Sequence, residues 1–396
     1  MHGFLEDLLF VPCLTAVGFY LYAIRSASHL FLGSSIKDAD FSAPVSVLKP
    51  LCGPEVDAYQ NLASFCGQDY PQYQIIFGIG DESDPCGEVV RQIIRDFPHK
   101  DIQLVVCRNR YGANPKISNL IQMEEKAKYP FLLLSDSDIR VEPDYLSRVM
   151  RPLKDPAVGV VTCMGRSRTK GVASIFEALR ISTEFCPGVL VARGFEGIRF
   201  GLGSTLVLRR EALQKIGGFS AVSDFLADDF QLGAQITKAG WKVLLSDVVV
   251  EHRFAQLSLR QVIRRQVRWA RGIHSSRPWS YGGLLFTHGI PMSLLFLMSS
   301  GGSAVGWAVL GLTWTARLAM ASGVGAGYLN DSSARKFLWL VPVQDLISFF
   351  VWCACFFGDS LEWRGERFRL TREGKLIPLR IKLPAEVSPR QRAAVG

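Results

Sequence analysis

The sequence predicts an α/β domain with a mostly parallel sheet, flanked at its N-terminal and C-terminal ends by transmembrane helices. Three observations predict this fold class. Strand and helix patterns alternate between residues 42 and 275, one apolar run precedes them, and further apolar stretches follow at residues 283–358. A chain of 396 residues that is 48% hydrophobic, with a mean hydropathy of +0.17, has room for both parts.

The N-terminal segment, residues 1–32, contains an almost uncharged apolar run at residues 8–24, which Pro12 interrupts and Arg25 closes. A cleaved signal peptide and an uncleaved signal anchor both have such a run. Glu6 and Asp7 stand where a signal peptide carries positive charges, and no small-residue cleavage site follows. We therefore predict an uncleaved transmembrane anchor.

The C-terminal region, residues 283–358, contains apolar stretches at residues 284–298, 304–321 and 337–357. Each stretch is short or broken against the roughly 20 residues that a membrane crossing requires, so the number of crossings stays open. Long buried core helices are the alternative, but they would need a very large core around them. Asp345 lies within the last stretch, and it either marks a functional path or pairs with Arg317.

The net charge is +9, and the excess lies beside the apolar regions. Residues 359–396 form a basic tail, which the positive-inside rule places in the cytosol. Arg25 at the exit of the first span agrees, so the C-terminal region would cross an even number of times, with one stretch interfacial or re-entrant. Anionic headgroups suit this charge, and the sequence shows no nucleic-acid module, so we expect a lipid bilayer and no nucleic acid as partner.

The middle of the chain, residues 42–275, alternates buried strands with helices. Strands are predicted at residues 45–48, 74–79, 102–106, 131–135 and 158–162, and helices at residues 87–97 and 116–128. Open α/β sheets bind ligands outside the carboxyl ends of their strands. Acidic residues follow predicted strands at Asp81 and at Asp136 with Asp138, and two more, Asp228 and Asp229, begin a later helix.

Asp136 and Asp138 end a predicted apolar strand one residue apart. Mg²⁺ and Mn²⁺ keep several waters and use one or two carboxylates together with substrate phosphates, so this pair suits such an ion. An Asx-turn or a helix cap ahead of Pro143 explains the same residues without a metal. The residues alone leave the two interpretations open.

Asp228 and Asp229 precede a helical pattern, and an N-cap role accounts for one of them. Two adjacent acids repel each other, which raises the pKa of the second and suits it to remove a proton from a hydroxyl. We predict Asp229 as this general base.

The stretch at residues 258–272 carries five arginines, of which Arg264, Arg268 and Arg271 share one helical face. A basic amphipathic helix beside a membrane region binds lipid headgroups, or its guanidinium groups stabilise a departing diphosphate. Lys116 precedes a helix and is either a phosphate contact or a surface lysine. His252 is either a third metal ligand or a structural histidine.

These residues together resemble a known group of enzymes. Asp81, Asp136-x-Asp138, Asp229 and Arg265-x-x-Arg268-Trp269 resemble the D, D-x-D, D, (Q/R)-x-x-R-W series of family 2-like glycosyltransferases. The segments 47–51, 114–116, 136–141 and 363–370 are similar to the ceramide glucosyltransferase family, family 21. The likeness covers roughly residues 44–370.

The resemblance implies an inverting GT-A transferase at the cytosolic face that moves a sugar from a UDP-sugar to a lipid hydroxyl. By position, Asp81 and Lys116 would bind the nucleotide sugar, and Asp136 and Asp138 the diphosphate and an Mg²⁺ or Mn²⁺ ion. Asp229 would be the base. The motif residues Arg265, Arg268 and Trp269 would hold the leaving group and the acceptor entrance.

Animal members of that family have glycine where Asp138 stands, so the chain resembles the bacterial branch, and we predict a multi-pass protein of the bacterial inner membrane. The segment 341–346 is similar to the hopanoid enzymes, which implies transfer of N-acetylglucosamine to bacteriohopanetetrol. Transfer of glucose to ceramide is the alternative acceptor chemistry. A non-catalytic, lipid-binding membrane anchor is the alternative of another class.

Overall fold

The computed structural model describes residues 2–33, 41–53, 56–169, 171–363 and 366–379. Its centre is an eight-stranded sheet with the strand order β3-β2-β1-β4-β7-β6-β8-β5. The strands are β1 (Val45–Pro50), β2 (Tyr73–Ile79), β3 (Asp101–Val106), β4 (Phe131–Leu134), β5 (Ile139–Arg140), β6 (Val158–Thr169), β7 (Leu206–Arg209) and β8 (Lys242–Phe254).

The sheet is mostly parallel, as predicted. Strands β3, β2, β1 and β4 pair in parallel, and so do β6 and β8. Two strands break the pattern, because β7 runs antiparallel between β4 and β6, and β5 pairs antiparallel with β8. Every residue of β1 is buried, as expected for a strand covered on both faces.

Helices cover both faces of the sheet, and the first of them leads in from the N-terminus. They are α1 (His2–Leu32), α2 (Ala58–Cys66), α3 (Cys86–Asp96), α4 (Pro115–Glu124), α5 (Tyr145–Met150), α6 (Val172–Arg180), α7 (Cys186–Glu196), α8 (Arg210–Lys215), α9 (Asp228–Lys238) and α10 (Leu259–Ser276). A turn of π-helix, Ile181–Phe185, joins α6 to α7.

The C-terminal apolar region forms helices α11 (Pro278–Gly283), α12 (Gly289–Ser299), α13 (Ala304–Met320), α14 (Ser332–Lys336) and α15 (Val341–Cys355). Within the described residues, three helical segments are long and apolar enough to cross a membrane: Glu6–Leu32, Ala304–Tyr328 and Leu338–Cys355. The segments Pro278–Thr287 and Gly289–Ser299 form a fourth candidate that bends by 57°. The chain is therefore a membrane protein with apolar helices at both ends.

The candidate spans pack against one another and against the sheet domain. The Tyr20 hydroxyl donates to the Thr287 carbonyl oxygen at 2.9 Å and accepts from the Gly289 amide at 3.1 Å. Gly289 permits this approach, because a Cβ there would lie 2.8 Å from the Tyr20 hydroxyl. Further along, Tyr22 contacts Phe195 of α7 with 4.6 Å between ring centroids.

Asp345 of α15 pairs with Arg317 of α13, which confirms one of the two explanations offered for this residue. The guanidinium donates two hydrogen bonds to the carboxylate, at 2.6 and 2.8 Å, and both side chains are buried. A paired charge costs far less within an apolar helix bundle than an isolated one. This pair fixes α15 against α13.

The segment that follows α15 is folded, which was not predicted from the sequence. It forms a three-stranded antiparallel sheet of β9 (Ser360–Trp363), β10 (Glu366–Leu370) and β11 (Leu376–Pro378). This small sheet contacts the large domain, since the Leu376 amide donates to the Asp224 carbonyl oxygen at 2.7 Å. The remaining basic tail, from residue 380, lies outside the described residues.

Candidate active site

The turn after β4 carries Asp136 and Asp138 at the carboxyl edge of the sheet. Lys49, fully buried on the neighbouring strand β1, donates its ammonium group to the Asp136 carbonyl oxygen at 2.8 Å and to the Ser135 hydroxyl at 3.3 Å. The same ammonium lies 3.8 Å from the centroid of the Phe65 ring. Lys49 therefore fixes the backbone of the turn that presents the two carboxylates.

Lys116 joins this turn to the acidic pair at the start of α9. Its ammonium lies 2.8 Å from Asp136 Oδ1 and 3.3 Å from Asp228 Oδ2. Burial alone would lower the pKa of Lys116, but the carboxylates of Asp136, Asp228 and Asp229 raise it well above its usual value. Lys116 is therefore a fixed positive charge among three carboxylates.

Asn114 holds the two segments that carry these charges. Its side-chain oxygen caps α4 by accepting from the amides of Lys116 and Ile117, at 2.9 and 3.3 Å. Its side-chain nitrogen donates across to the Phe225 carbonyl oxygen at 2.9 Å and to Asp228 Oδ1 at 3.3 Å. The residues before α4 and before α9 are thereby locked together.

Asp229 begins α9, and its Oδ1 accepts from the Phe230 amide at 2.8 Å. Burial, reinforced by the neighbouring Asp228 carboxylate, raises the pKa of Asp229 to about 7. Repulsion from Asp228, the cause that the sequence suggested, is thus the smaller contribution. A carboxyl group with a pKa near neutrality is suited to accept a proton from a substrate hydroxyl.

Gly203 lies between the carboxylates of Asp136 and Asp229. A Cβ at this position would lie 3.1 Å from Asp229 Oδ2 and 3.5 Å from Asp136 Oδ2. Both carboxylates therefore face the same small space, which glycine leaves open. No local pattern in the sequence marks Gly203, because its importance comes from this long-range approach.

Asp138 lies deeper, beside His252 of β8. Strand β5 pairs Ile139 with His252, and His252 Nδ1 is 3.8 Å from Asp138 Oδ1. Burial alone would raise the pKa of Asp138, but His252, Arg265 and Lys49 together hold it at about 2. Asp138 is therefore ionised throughout the physiological pH range.

The arginine-rich stretch forms α10, which begins with a capping box between Ser258 and Gln261. A fully buried carboxylate of α6, Glu177, binds its inner face. Gln266 donates to Glu177 Oε2 at 3.1 Å, and the Arg265 Nε lies 3.5 Å from Glu177 Oε1. The guanidinium groups of Arg265 and Arg180 lie 5.0 and 4.9 Å from the Trp269 ring. Glu177 and Arg180 were not identified from the sequence, because only the fold brings α6 to α10.

The outer face of α10 contacts the small C-terminal sheet. Arg264 lies 3.7 Å from Glu362, and the Arg268 guanidinium lies 5.8 Å from the Trp363 ring. Arg271 donates to the carbonyl oxygens of Phe357, at 2.8 Å, and of Ser360. The predicted face of Arg264, Arg268 and Arg271 therefore exists, and it contacts residues 357–363 of the same chain.

Asp81 follows β2 and, together with Arg108, lines a depression of about 420 Å³. Hydrogen bonds from the Ser83 hydroxyl and amide lower the pKa of Asp81. Strand β1 separates β2 from β4, so Asp81 and Asp136 follow strands about 10 Å apart at one edge of the sheet. Asp81 thus lies at the same edge of the sheet as Asp136, in a depression that the cluster of Lys116, Asp136, Asp228 and Asp229 does not line.

The model for glycosyl transferase family 21 matches residues 8–376, nearly the whole chain. The chain belongs to glycosyl transferase family 21. As a member of this family it is a sugar-transferring enzyme, which confirms the predicted family and sets aside the non-catalytic alternative.

Two nematode relatives and one solved structure illustrate the similarity. Ceramide glucosyltransferase 3 of Caenorhabditis elegans is 24% identical over 93% of this family 21 chain and 81% of its own length. Ceramide glucosyltransferase 1 of the same organism is 28% identical over 57% of this chain and 49% of its own length. The mannosyltransferase PcManGT from Pyrobaculum calidifontis, solved with GDP-Man and Mn²⁺, has a TM-score of 0.54 at 18% identity, over 89% of this chain and 99% of its own. This likeness supports the predicted GT-A fold.

Proposed function

We propose that this family 21 enzyme transfers a sugar from a UDP-sugar to a hydroxyl group of a membrane lipid, with inversion at the sugar carbon. One observation carries the proposal. The carboxylates of Asp136 and Asp229 face one space at the carboxyl edge of the sheet, in a domain to which apolar helices are packed. The two nematode relatives, named ceramide glucosyltransferases, act on a lipid, which supports a lipid acceptor.

Asp229 is the proposed general base. Its carboxylate takes the proton of the acceptor hydroxyl while that oxygen attacks the anomeric carbon of the sugar. The bond from this carbon to the diphosphate oxygen breaks, and the diphosphate departs with both bonding electrons. A base with a pKa of about 7 is half ionised at neutral pH and matches this task.

Asp136 and Asp138 are the proposed ligands of a divalent ion. Within the described ranges, no group of three or more aspartate, glutamate, histidine or cysteine side chains is arranged so that it could hold a metal ion by itself. Two carboxylates nevertheless fit Mg²⁺ or Mn²⁺, which take their other ligands from water and substrate phosphates. When bound, the ion would neutralise charge on the leaving diphosphate. PcManGT was solved with Mn²⁺, and the role of His252 as a third ligand stays a prediction.

Lys116 and α10 supply the proposed positive charge for the diphosphate. The Lys116 ammonium already lies 2.8 Å from Asp136, where it can bind a phosphate oxygen. Arg265 lies close enough to Asp138 to lower the pKa of that carboxyl. We assign Asp81 to the nucleotide and Arg268 with Trp269 to the acceptor entrance. From the basic flanking segments we propose that the catalytic domain lies on the cytosolic side of the membrane. The proposed bacterial inner membrane rests on the resemblance to the bacterial branch of the family.

We propose N-acetylglucosamine as the sugar and bacteriohopanetetrol as the acceptor. This choice rests on the resemblance of residues 341–346 to the hopanoid enzymes. Ceramide glucosylation is the second candidate, favoured by the names of the two nematode relatives. Both candidates place the acceptor hydroxyl at the same space beside Asp229.

The donor and acceptor are testable in a heterologous bacterium that makes neither lipid product. Membranes holding the chain are incubated with UDP-glucose or UDP-N-acetylglucosamine and with bacteriohopanetetrol or ceramide, and the lipids are analysed by mass spectrometry. We expect N-acetylglucosaminyl bacteriohopanetetrol only. A hexose on ceramide would replace the first candidate with the second, and no glycolipid from any pair would contradict the proposed function.

Replacing Glu177 with glutamine should lower kcat about 100-fold, with a change of less than about threefold in the donor KM. The variant keeps a hydrogen-bond acceptor for Gln266 but loses the charge that faces Arg265 and Arg180, so these groups shift on α10. Steady-state kinetics on purified protein measure both constants. Glu177→Asp, which restores the charge, should recover part of kcat.

The matched control for this change is Glu88→Gln. Glu88 is an exposed carboxylate of α3 that also contacts two arginines, Arg91 and Arg95. Its substitution should leave kcat within about twofold, because exposed ion pairs contribute little. Equal kcat values for Glu177→Gln and Glu88→Gln would show that Glu177 does not position α10.

A further inference from the structure

A basic cleft lies outside the candidate active site and shares none of its residues. Its volume is about 1130 Å³, and it is lined by the last turns of α1, the end of α7, helix α5 and the first residues of β8. Six basic residues line it: Arg25, Arg148, Arg151, Arg193, Arg199 and Lys242. The start of β8 belongs to the amino edge of the parallel strands, whereas Asp136 and Asp138 follow the carboxyl end of β4. The cleft is therefore a separate feature.

The positive charge of the cleft exceeds its negative charge. Three acidic residues line it, and two of them are already paired: Asp144 with Arg148 at 3.5 Å, and Glu196 with Arg277 at 2.5 Å. Within the described ranges, Arg25 and Arg193 form no ion pair. Partial burial lowers the pKa of Arg193, and no neighbouring carboxylate offsets this effect. The cleft thus presents guanidinium groups suited to an anionic ligand.

The cleft lies at the height where a bilayer would end. About 20 residues cross the hydrocarbon core, and 20 residues counted from Glu6, where the candidate span begins, end at Arg25. Phe195, beside Tyr22, is 75% exposed, and Trp279 is 93% exposed. The pair between Glu196 and Arg277 connects the end of α7 to the junction between α10 and α11. Exposed tryptophans such as Trp279 are typical of the headgroup layer of a membrane.

We propose that this cleft binds the phosphate headgroup of an anionic phospholipid, with Arg25 and Arg193 as its main contacts. A guanidinium group can donate two parallel hydrogen bonds to two oxygens of one phosphate. Basic pockets beside transmembrane helices suit such headgroups. The bound headgroup would tie α1 to α7 and fix the tilt of the catalytic domain over the bilayer. This site is independent of the sugar-transfer chemistry.

Native mass spectrometry of the full chain in neutral detergent tests the proposal. Phosphatidylglycerol, phosphatidylcholine and inorganic phosphate are titrated separately. We expect retention of phosphatidylglycerol in preference to the other two, and a dissociation constant for phosphatidylglycerol about 25-fold higher in Arg25→Gln/Arg193→Gln, since each basic group near a membrane surface contributes about fivefold. The matched control, Arg91→Gln/Arg95→Gln on the exposed face of α3, should bind like the wild type.

Wild-type protein alone tests the preference for phosphatidylglycerol, so this part of the test does not depend on folding of the variant. Equal retention of phosphatidylglycerol and phosphatidylcholine would overturn the proposal. Binding of inorganic phosphate as tight as that of phosphatidylglycerol would show a free-anion site and also overturn it. If the double variant keeps its thermal unfolding midpoint and its full affinity for phosphatidylglycerol, the assignment to this cleft is wrong.

Discussion

Asp229→Asn should lower kcat for sugar transfer about 10³-fold while UDP-sugar binding stays within about threefold of the wild type. The reason is that asparagine keeps the shape of the side chain but cannot accept the proton of the acceptor hydroxyl. The donor is held by other groups, among them Lys116 and the Asp136 turn. Radiolabelled transfer to lipid measures kcat, and titration calorimetry with UDP-sugar measures donor affinity. Transfer at the wild-type rate would remove the assignment of Asp229 as the base.

The stability of the same variant separates a chemical role from a folding defect. The pKa of Asp229 is about 7 in the folded chain and near 4 in the unfolded chain, so the folded state binds the additional proton between these values. Wild-type stability therefore falls as pH rises from about 4 to 7, whereas an asparagine side chain at this position does not titrate and its contribution stays constant. In chelator at pH 8, Tm of Asp229→Asn should exceed that of the wild type by a few degrees. A lower Tm would mean that lost activity reflects lost structure.

Removal of divalent ions should lower transfer at least about 100-fold, because a bound ion supplies several kcal/mol of charge stabilisation. Dialysis against EDTA followed by addition of Mn²⁺ or Mg²⁺ should restore activity in the wild type. Asp136→Asn and Asp138→Asn should not recover at the same ion concentration, since each removes one anionic ligand. Transfer rates with and without added ion measure the effect.

The control for this pair is Asp155→Asn, at the amino edge of the sheet. Asp155 is an exposed carboxylate that pairs with Lys242, so its substitution should leave both the rate and the response to added ion unchanged. Full wild-type activity in EDTA would reject Asp136 and Asp138 as ligands of a divalent ion.

The parallel half of the fold could be predicted from the sequence because its signals are local. Strands β1 to β4 are short, mostly apolar runs with polar residues close after β2 and β4, and each observed strand overlaps the predicted one. The polar residues that end these strands lie at one edge of the sheet, as the rule for open α/β sheets requires. Asp81 and Asp136 were therefore predicted at the correct edge.

Features that depend on long-range contacts could not be predicted. Strand β7 has only four residues, ends in Arg209 and follows Gly201 and Gly203. Nothing local shows that it enters the sheet antiparallel between β4 and β6. From the sequence alone Lys49 would be expected at the surface, like most lysines, yet the fold buries it beneath the Asp136 turn. The small C-terminal sheet was missed because its arginines dominate the sequence pattern, whereas Phe368, Leu370 and Leu376 form its buried face.

A cryo-EM structure of the full chain with UDP and Mn²⁺ measures most directly whether Asp136, Asp138 and Asp229 serve one reaction. We predict density for the ion against Asp136 and Asp138, with the diphosphate beside Lys116 and open space between it and Asp229 for a sugar and a hydroxyl. Density for the ion and the diphosphate away from these carboxylates, with Asp229 directed elsewhere, would contradict the account.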